Sequence, residues 1–384
     1  MMKQKRALVL DGNTRQVLPI IKGLHEKGYH VTTICDSKLD EGYTSRYSDQ
    51  RIIAHYDKIL LDVYEVTKKE VQSGKYSLLF PLTDETMDMV TKHANEFVSY
   101  VNMPIPKREV FMRAFDKQNT MDICMDNKIP CPITKRKDEP LNLFVEKIGF
   151  PLIAKPRSDS GSMGLKIINN QKELDLLVDK GMLDWDKYLI QECIPLTGKQ
   201  YNAHMFVDRD GTICTSLMTE KCRWFPVDGG ASCLSRTIQD EKINSICDKL
   251  MNVIGWEGYC DIDLIEDPRT NEIKVIEING RASANIKICV LAGVDIVSQM
   301  IDFSLGKKVN QTHIEAKEVR LRCILTDCLW FLKSKERFSK RPSWFNITRT
   351  RDQIFSIKDP IPFFAFIALS VPKYRSEMKK RSRK

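Results

Sequence analysis

Apolar residues run from Ala7 to Leu10 and stop at Asp11-Gly12-Asn13, and the next apolar positions, Ile20, Ile21 and Leu24, keep a helical spacing that ends at Gly28. A second apolar run follows from Val31 to Cys35. The expected order is strand, helix, strand, because a short continuous run between turn residues suits a buried strand and a 3.6-residue period suits one face of a helix. The pattern returns more loosely, with a strand at Leu78 to Pro81 and a helix at Asp84 to Val98. Such alternation favours an open parallel sheet, here to about residue 105.

That makes the first part a Rossmann-like domain in outline. The fingerprint G-x-G-x-x-G is absent, since the first turn reads "DGNTRQ" with one glycine, so a dinucleotide site gains no support. Thr83 and Asp84 fall just past a strand end, where open sheets place ligand contacts; an N-cap for the following helix is the plainer alternative. A Pro-rich joint, "NMPIPKRE", leads to a helix around Val110 to Asn127, and "KIPCPIT" then forces extended backbone at the start of a new domain. From Phe150 short strands alternate with Gly and Asp turns: Leu152 to Lys155, Tyr188 to Glu192, Asn202 to Val207 and Thr212 to Met218. An antiparallel sheet with helices packed on it is expected there.

Composition agrees with a globular protein of two or three domains, at 384 residues, 42% hydrophobic and 29% charged. The formal charge of +9 gathers at the ends, in "MMKQKR" and "KYRSEMKKRSRK", which argues against a basic nucleic-acid groove. Twelve cysteines between Cys35 and Cys328 form no C-x-x-C pair and no zinc-like cluster, so reduced thiols and a cytoplasmic location are expected. The N-terminal apolar stretch is too short for a signal-peptide core, and no run of eighteen apolar residues occurs.

Two segments carry chemistry. "LIAKPRSDSGSMGL" puts Lys155 at the end of an apolar strand and follows it with small residues, so that backbone N–H groups near Ser160, Gly161, Ser162 and Gly164 are able to approach anionic oxygens. A solvated turn is the bland alternative. "CDIDLIEDPRTNEIKVIEINGRAS" reads as two strands around a turn at Asp267 to Asn271, with Asp261 and Asp263 on one face and Glu277, Asn279 and Arg281 on one face of the return strand. Oxygens from Asp263, Glu277 and Asn279 suit Mg2+, and Arg281 would point to a polyphosphate. A solvated sheet face remains open as the other explanation.

In this order the segments resemble the ATP-grasp enzymes, particularly the large subunit of carbamoyl phosphate synthetase and the carboxylate-amine ligases, over roughly residues 5 to 310. "FDKQNTMDICMDNKIPCPIT" is similar to the family's D-K motif followed by G-I-P-x-P, which implies Lys117 as the first phosphate lysine; "PLIAKPRSDSGSMGL" implies Lys155 as the second, with Ser158 to Gly164 as a closing lid. "YLIQECIPLTGKQYNAHMFVDRDG" resembles the hinge where Glu192 would meet the adenine amino group, Ile194 the ring edge and Gln200 the ribose. Gln200 departs from the usual glutamate and loses the charge-assisted part of that bond. "VIEINGR" is similar to E-x-N-x-R, implying Glu277 and Asn279 as metal ligands, Asp263 as the other one, and Arg281 as a phosphate contact; the common "NPR" is "NGR" here. "MTEKCRWFPVDGGASCLSRT" resembles K-x-R-x-x-P-x-x-G-G-x-S, a loop in which Lys221 and Arg223 would neutralise an acyl phosphate or a carboxylate, with Gly229 and Gly230 allowing close backbone approach.

The resemblance implies an α/β and α+β architecture: a Rossmann-like pre-ATP-grasp domain at 1–110, an ATP-grasp fold of two α+β subdomains clasping ATP at 111–310 with its lid at about 125–190, and a C-terminal extension at 311–384. It implies ATP with two Mg2+ ions, Mn2+ as a substitute, small carboxylate and amine substrates, and ADP and phosphate as products; a homodimer is expected only as the general default for symmetric soluble assemblies. Lys155 and Arg281 are then the catalytic pair. Bicarbonate activation and non-catalytic nucleotide binding are the alternatives, and the absence of an internal repeat weighs against the two-unit synthetase. In the tail, apolar residues from Ile361 to Val371 precede a Lys/Arg run, so either a terminal helix packed on the core or a segment lying at a membrane interface is expected. Similar "DPIPFF" endings occur in ATP-grasp proteins associated with bacterial cell-envelope polysaccharide synthesis, which points to an envelope precursor as substrate.

Overall fold

The computed structural model describes residues 5–158, 164–227, 230–312 and 318–370. Strands β1 (Arg6–Val9), β2 (His30–Cys35), β3 (Gln50–Ile53) and β4 (Leu78–Phe80) pair in parallel in the order β3-β2-β1-β4. Alternation along β1 sends Ala7 and Val9 into one core, with Ile20, Ile21 and Leu24 of the helix Val17–Glu26, and Leu8 into the core on the other face. Gly12 lies so close to β2 that a Cβ there would meet the Ile34 carbonyl oxygen at 2.8 Å. The glycine of the first turn is therefore explained by backbone packing.

The expected helix at Asp84 to Val98 is broken at His93 into Asp84–Lys92 and Ala94–Phe97. The one at Val110 to Asn127 is broken at Asp116 into Arg108–Phe115 and Lys117–Asp126. Asp116 has extended backbone and its side chain caps the second helix, accepting from Gln118 N at 3.0 Å.

Strands β5 (Leu152–Pro156), β6 (Lys166–Ile168) and β7 (Tyr188–Glu192) form a small antiparallel sheet, β6-β5-β7. The large sheet joins β8 (Gln200–Val207), β9 (Ile213–Phe225), β10 (Ala231–Ile238), β11 (Gly258–Asp267), β12 (Glu272–Asn279), β13 (Arg320–Arg322) and β14 (Thr350–Asp352) in the order β12-β11-β8-β9-β10-β13-β14. Helix Glu241–Ile254 covers it, burying Ile243, Leu250 and Met251 against Ala203, Met205 and Ile262.

Two expectations change here. The strand begun near Thr212 runs on to Phe225, so Lys221 and Arg223 belong to a β9–β10 hairpin and not to a loop. The stretch expected as an extension beyond residue 310 adds β13 and β14 to the large sheet. Residues 361–370 are helical, with Ala365 buried and Ile361 and Phe364 exposed. The basic run at 371–384 lies outside the described residues, and no described helix is long and apolar enough to cross a membrane.

Candidate active site

β11 and β12 place Asp263 directly opposite Glu277, and Asp261 opposite Asn279, as alternation requires for one shared face. Asn202 on the neighbouring β8 donates to both Asp261, at 3.1 Å, and Asp263. Lys221 reaches the same spot from β9, its Nζ lying 2.6 Å from Asp263 Oδ1. Asp263 and Glu277 share a hydrogen bond. Burial, with the Asp263 charge adding to it, raises the Glu277 carboxyl above its ordinary value. Burial works on Asp263 in the same direction, and Lys221 outweighs it, holding Asp263 low.

Two lysines close the other side. Lys155 is the next-to-last residue of β5 and donates from Nζ to the Ile276 carbonyl oxygen of β12 at 3.2 Å. It is 7% exposed, and burial, with Lys117 nearby, pulls it down to about 8. Lys117 opens its helix and lies 3.5 Å from Glu277 Oε2. Arg157 ties the two lysines' elements together: its guanidinium pairs with Asp116 at 2.5 Å, and its carbonyl accepts from Lys117 N at 2.9 Å.

Arg281 joins this face to the first sheet. It donates to Asn279 Oδ1 at 2.9 Å and to Asp84 Oδ2 at 3.1 Å, and Asp84 opens the helix capped by Thr83. The plainer explanation of Thr83 applies, since it caps that helix, and Asp84 pairs with Arg281. Beneath them Asp11, in the left-handed region at φ 61°, accepts from Leu82 N at 2.8 Å, Thr83 N at 3.0 Å and Thr86 Oγ1 at 2.5 Å.

The structure thus brings together Lys117, Lys155, Lys221, Asp263, Glu277, Asn279 and Arg281. It does not bring Arg223 with them. Arg223 is 2% exposed, pairs with Asp327 at 2.6 Å, donates to the Pro342 carbonyl and stands over the Trp330 ring. Glu192, expected at the adenine amino group, has other partners: Lys274 at 2.7 Å, Arg269 at 2.8 Å and Ile133 N at 2.9 Å. Ile194 is buried, and Gln200 sits at the start of β8 opposite Lys221. Gly164 has a positive φ of 74° and Gly230 packs on the Phe225 carbonyl, while Ser160, Gly161, Ser162 and Gly229 lie outside the described residues. Asn202, Asp116 and Arg157 were not singled out from the sequence. The alternation Gln200, Asn202, His204 against Tyr201, Ala203, Met205 is the signal that finds the first of them.

Among the described residues no three His, Cys, Asp or Glu side chains converge as a ready metal cage. The donors present still fit Mg2+, which is held by one or two carboxylates completed by phosphate and water. Two hydrogen-bonded carboxylates, one held up by burial, are a pair that a divalent cation would relieve.

A family model described as an ATP-grasp domain matches residues 114–285. The arginine-specific large chain of carbamoyl phosphate synthase from Geobacillus stearothermophilus is 29% identical over 150 residues, 36% of this chain and 14% of that protein. The large chain from Methanobrevibacter smithii is 25% identical over 217 residues, 54% of this chain and 20% of that protein. The matches therefore span a fifth or less of those relatives. In fold, the chain is similar to the biotin carboxylase domain of Hydrogenobacter thermophilus 2-oxoglutarate carboxylase, solved as a dimer with MgADP and bicarbonate (TM-score 0.68, 16% identity, 83% of this chain and 74% of that one). It is also similar to the L-amino acid ligase of Bacillus licheniformis (TM-score 0.64, 14% identity, 83% and 80%) and to N5-carboxyaminoimidazole ribonucleotide synthetase of Thermotoga maritima (TM-score 0.57, 17% identity, 81% and 78%). Residues 114–285 of this chain are an ATP-grasp domain, homologous to part of the carbamoyl phosphate synthase large chain.

Proposed function

We propose that this protein is an ATP- and Mg2+-dependent ligase that activates a carboxylate as an acyl phosphate for attack by an amine. One observation carries the reading: Lys117, Lys155, Lys221 and Arg281 converge on a face that also holds Asp263, Glu277 and Asn279. A face so furnished suits a polyphosphate and its counter-ions better than it suits water.

In the proposed reaction a carboxylate oxygen attacks the γ-phosphorus, the bond to the β,γ-bridging oxygen breaks, and ADP leaves. The amine nitrogen then attacks the acyl carbon, phosphate departs, and the nitrogen gives up a proton to solvent or phosphate. Lys117 and Lys155 spread the charge that develops on the phosphoryl oxygens, and Arg281, anchored by Asp84, does so from the substrate side. Lys221 holds Asp263 ionised. Asp263, Glu277 and Asn279 would hold Mg2+, two ions in the fullest version with Mn2+ as a substitute, and the ion supplies Lewis-acid neutralisation of the phosphates. No residue is assigned as nucleophile, and none of the cysteines takes part.

The test is phosphate release from ATP and Mg2+ across carboxylates and amines, with bicarbonate and glutamine included and Glu277→Ala as control. Release that needs both a carboxylate and an amine and vanishes in the control is expected; release from the control overturns the site. The synthase relatives favour a second reading, bicarbonate activation, which bicarbonate-dependent release without an amine would establish. A homodimer and an envelope-precursor substrate belong to the same proposal, the dimer by analogy with the Hydrogenobacter structure.

A further inference from the structure

One side chain at the carboxyl end of the parallel sheet is charged, partly buried and left without a counter-charge. Arg15 stands in the turn after β1, at the carboxyl end of the parallel sheet where the Thr83 and Asp84 helix also begins. Among the described residues no carboxylate pairs with it. Its NH1 donates to Gln353 Oε1 at 2.7 Å, and its guanidinium faces the Phe366 ring at 6.0 Å. An amide orients a guanidinium without neutralising it, because it offers an acceptor oxygen and no charge.

Gln353 is itself held with unusual thoroughness. It is 2% exposed, and its Nε2 donates to Asn285 Oδ1 at 2.6 Å, four residues past Arg281. Asn285 in turn donates to Ser235 on β10 at 3.4 Å. The backbone around Gln353 is strapped down: its N–H bonds the Arg322 carbonyl at 2.7 Å, and Lys287 Nζ donates to the carbonyls of Asp352, Gln353 and Phe355 at 2.7, 3.3 and 3.3 Å. Asp359 fastens the strap to the first domain through Ser45 Oγ at 2.5 Å and Arg46 N at 3.1 Å. The segment from 350 to 359 thus runs from the large sheet to the parallel sheet, fixing one arginine and leaving its charge free.

We propose that Arg15, positioned by Gln353, receives an oxyanion carried by the acceptor amine, so that the second substrate is an anionic amine bearing a carboxylate or a phosphate. This deepens the ligase reading and rests on it for the word acceptor, but not for the anion. Arg15 is the binding group, and Gln353 is a positioning residue.

The experiment measures binding of matched pairs to the full chain with Mg2+ and a non-hydrolysable ATP analogue: α-amino acids against their carboxamides, and O-phosphoethanolamine against ethanolamine. Wild type is compared with Arg15→Met, which keeps an apolar stem, and Gln353→Glu, which keeps the shape and supplies the missing counter-charge. At least one oxyanion is expected to bind wild type about tenfold tighter than its uncharged partner, the worth of one charge-assisted contact. That preference should fall to within about twofold in both variants while affinity for the nucleotide analogue holds. The carboxylate and phosphate pairs say which oxyanion it is. A wild type that prefers no oxyanion overturns the proposal, as does a preference that survives Arg15→Met. Phosphate release measured alongside separates the two readings: anion preference without any release sinks the ligase alone, and release served equally by neutral and anionic amines sinks this proposal alone.

Discussion

Burial beside a second lysine makes the charged form of Lys155 costly, and the cost has a direction that can be measured. Its pull down to about 8 means that near pH 8 roughly half the molecules carry a neutral Lys155. A polyphosphate beside it restores the charge, so nucleotide binding at that pH should take up about half a proton, and almost none at pH 6.5. Calorimetry in two buffers of different ionisation enthalpy reads this, and Lys155→Met should abolish both the uptake and ATP turnover. The same shift predicts the variant's stability. Folding disfavours the charged lysine, a penalty present below about pH 8 and relieved as pH rises towards the unfolded value, so removing it at pH 7 should leave the thermal midpoint unchanged or higher. Asp11 shows the converse. Burial lifts its carboxyl to about 6 although every neighbour donates to it, so its charge costs stability as pH rises from about 4 to 6. Asp11→Ala leaves the Leu82 N–H buried without an acceptor and Thr83 N with Thr86 Oγ1 alone, in a left-handed backbone position, and should cost about 3 kcal/mol in urea unfolding. Asp11→Asn, which tolerates that backbone, should cost far less and flatten the dependence below pH 6.

At the scale of elements, Asp116 does what no pattern of apolar residues announces. The chain from Val110 to Asn127 looks like one helix because its apolar spacing survives the break; only the Asp116 cap and its pairing with Arg157, more than forty residues away, stop the first helix and start the second. The break aims Lys117 at Glu277, and the Arg157 link ties it to the strand of Lys155. Asp116→Ala should therefore cost about 1–3 kcal/mol of stability and raise the KM for ATP while sparing the kcat at saturation. A KM left at the wild-type value would separate the break from the lysines. The β11–β12 pair was legible for the opposite reason: a period of two with five intervening apolar residues marks a sheet with one polar face, and Asp263 and Glu277 fell where alternation put them. β9 was legible only in part. Glu220, Lys221 and Arg223 break the apolar pattern because that end of the strand meets charged partners on both sides, so a strand read as a loop. Glu192 was located but its partners were not, since Lys274 and Arg269 reach it from another hairpin.

Over the whole molecule, residues 318–352 complete the large sheet. Asp327, fully buried, sits between Arg223 of β9 and Arg322 of β13, with Trp330 over the first guanidinium and Trp344 over the second. Nothing local in the sequence links positions 223, 322 and 327, so a lysine-arginine motif with a glycine pair read naturally as a phosphate loop. The geometry assigns Lys221 and Arg223 to different tasks although they stand two residues apart on one strand: the first holds a carboxylate of the site, the second holds the segment around Asp327 and Pro342. Their variants should separate accordingly. Asp327→Ala leaves two guanidinium groups buried without a counter-charge and should lose about 3–5 kcal/mol, with nucleotide affinity of the folded fraction unchanged. Arg223→Met should likewise move the denaturation midpoint more than the KM for ATP, whereas Lys221→Met should do the reverse. A rise in KM from Arg223→Met at wild-type stability would return that arginine to the substrate side, and would mean that the C-terminal strands open in turnover to release it.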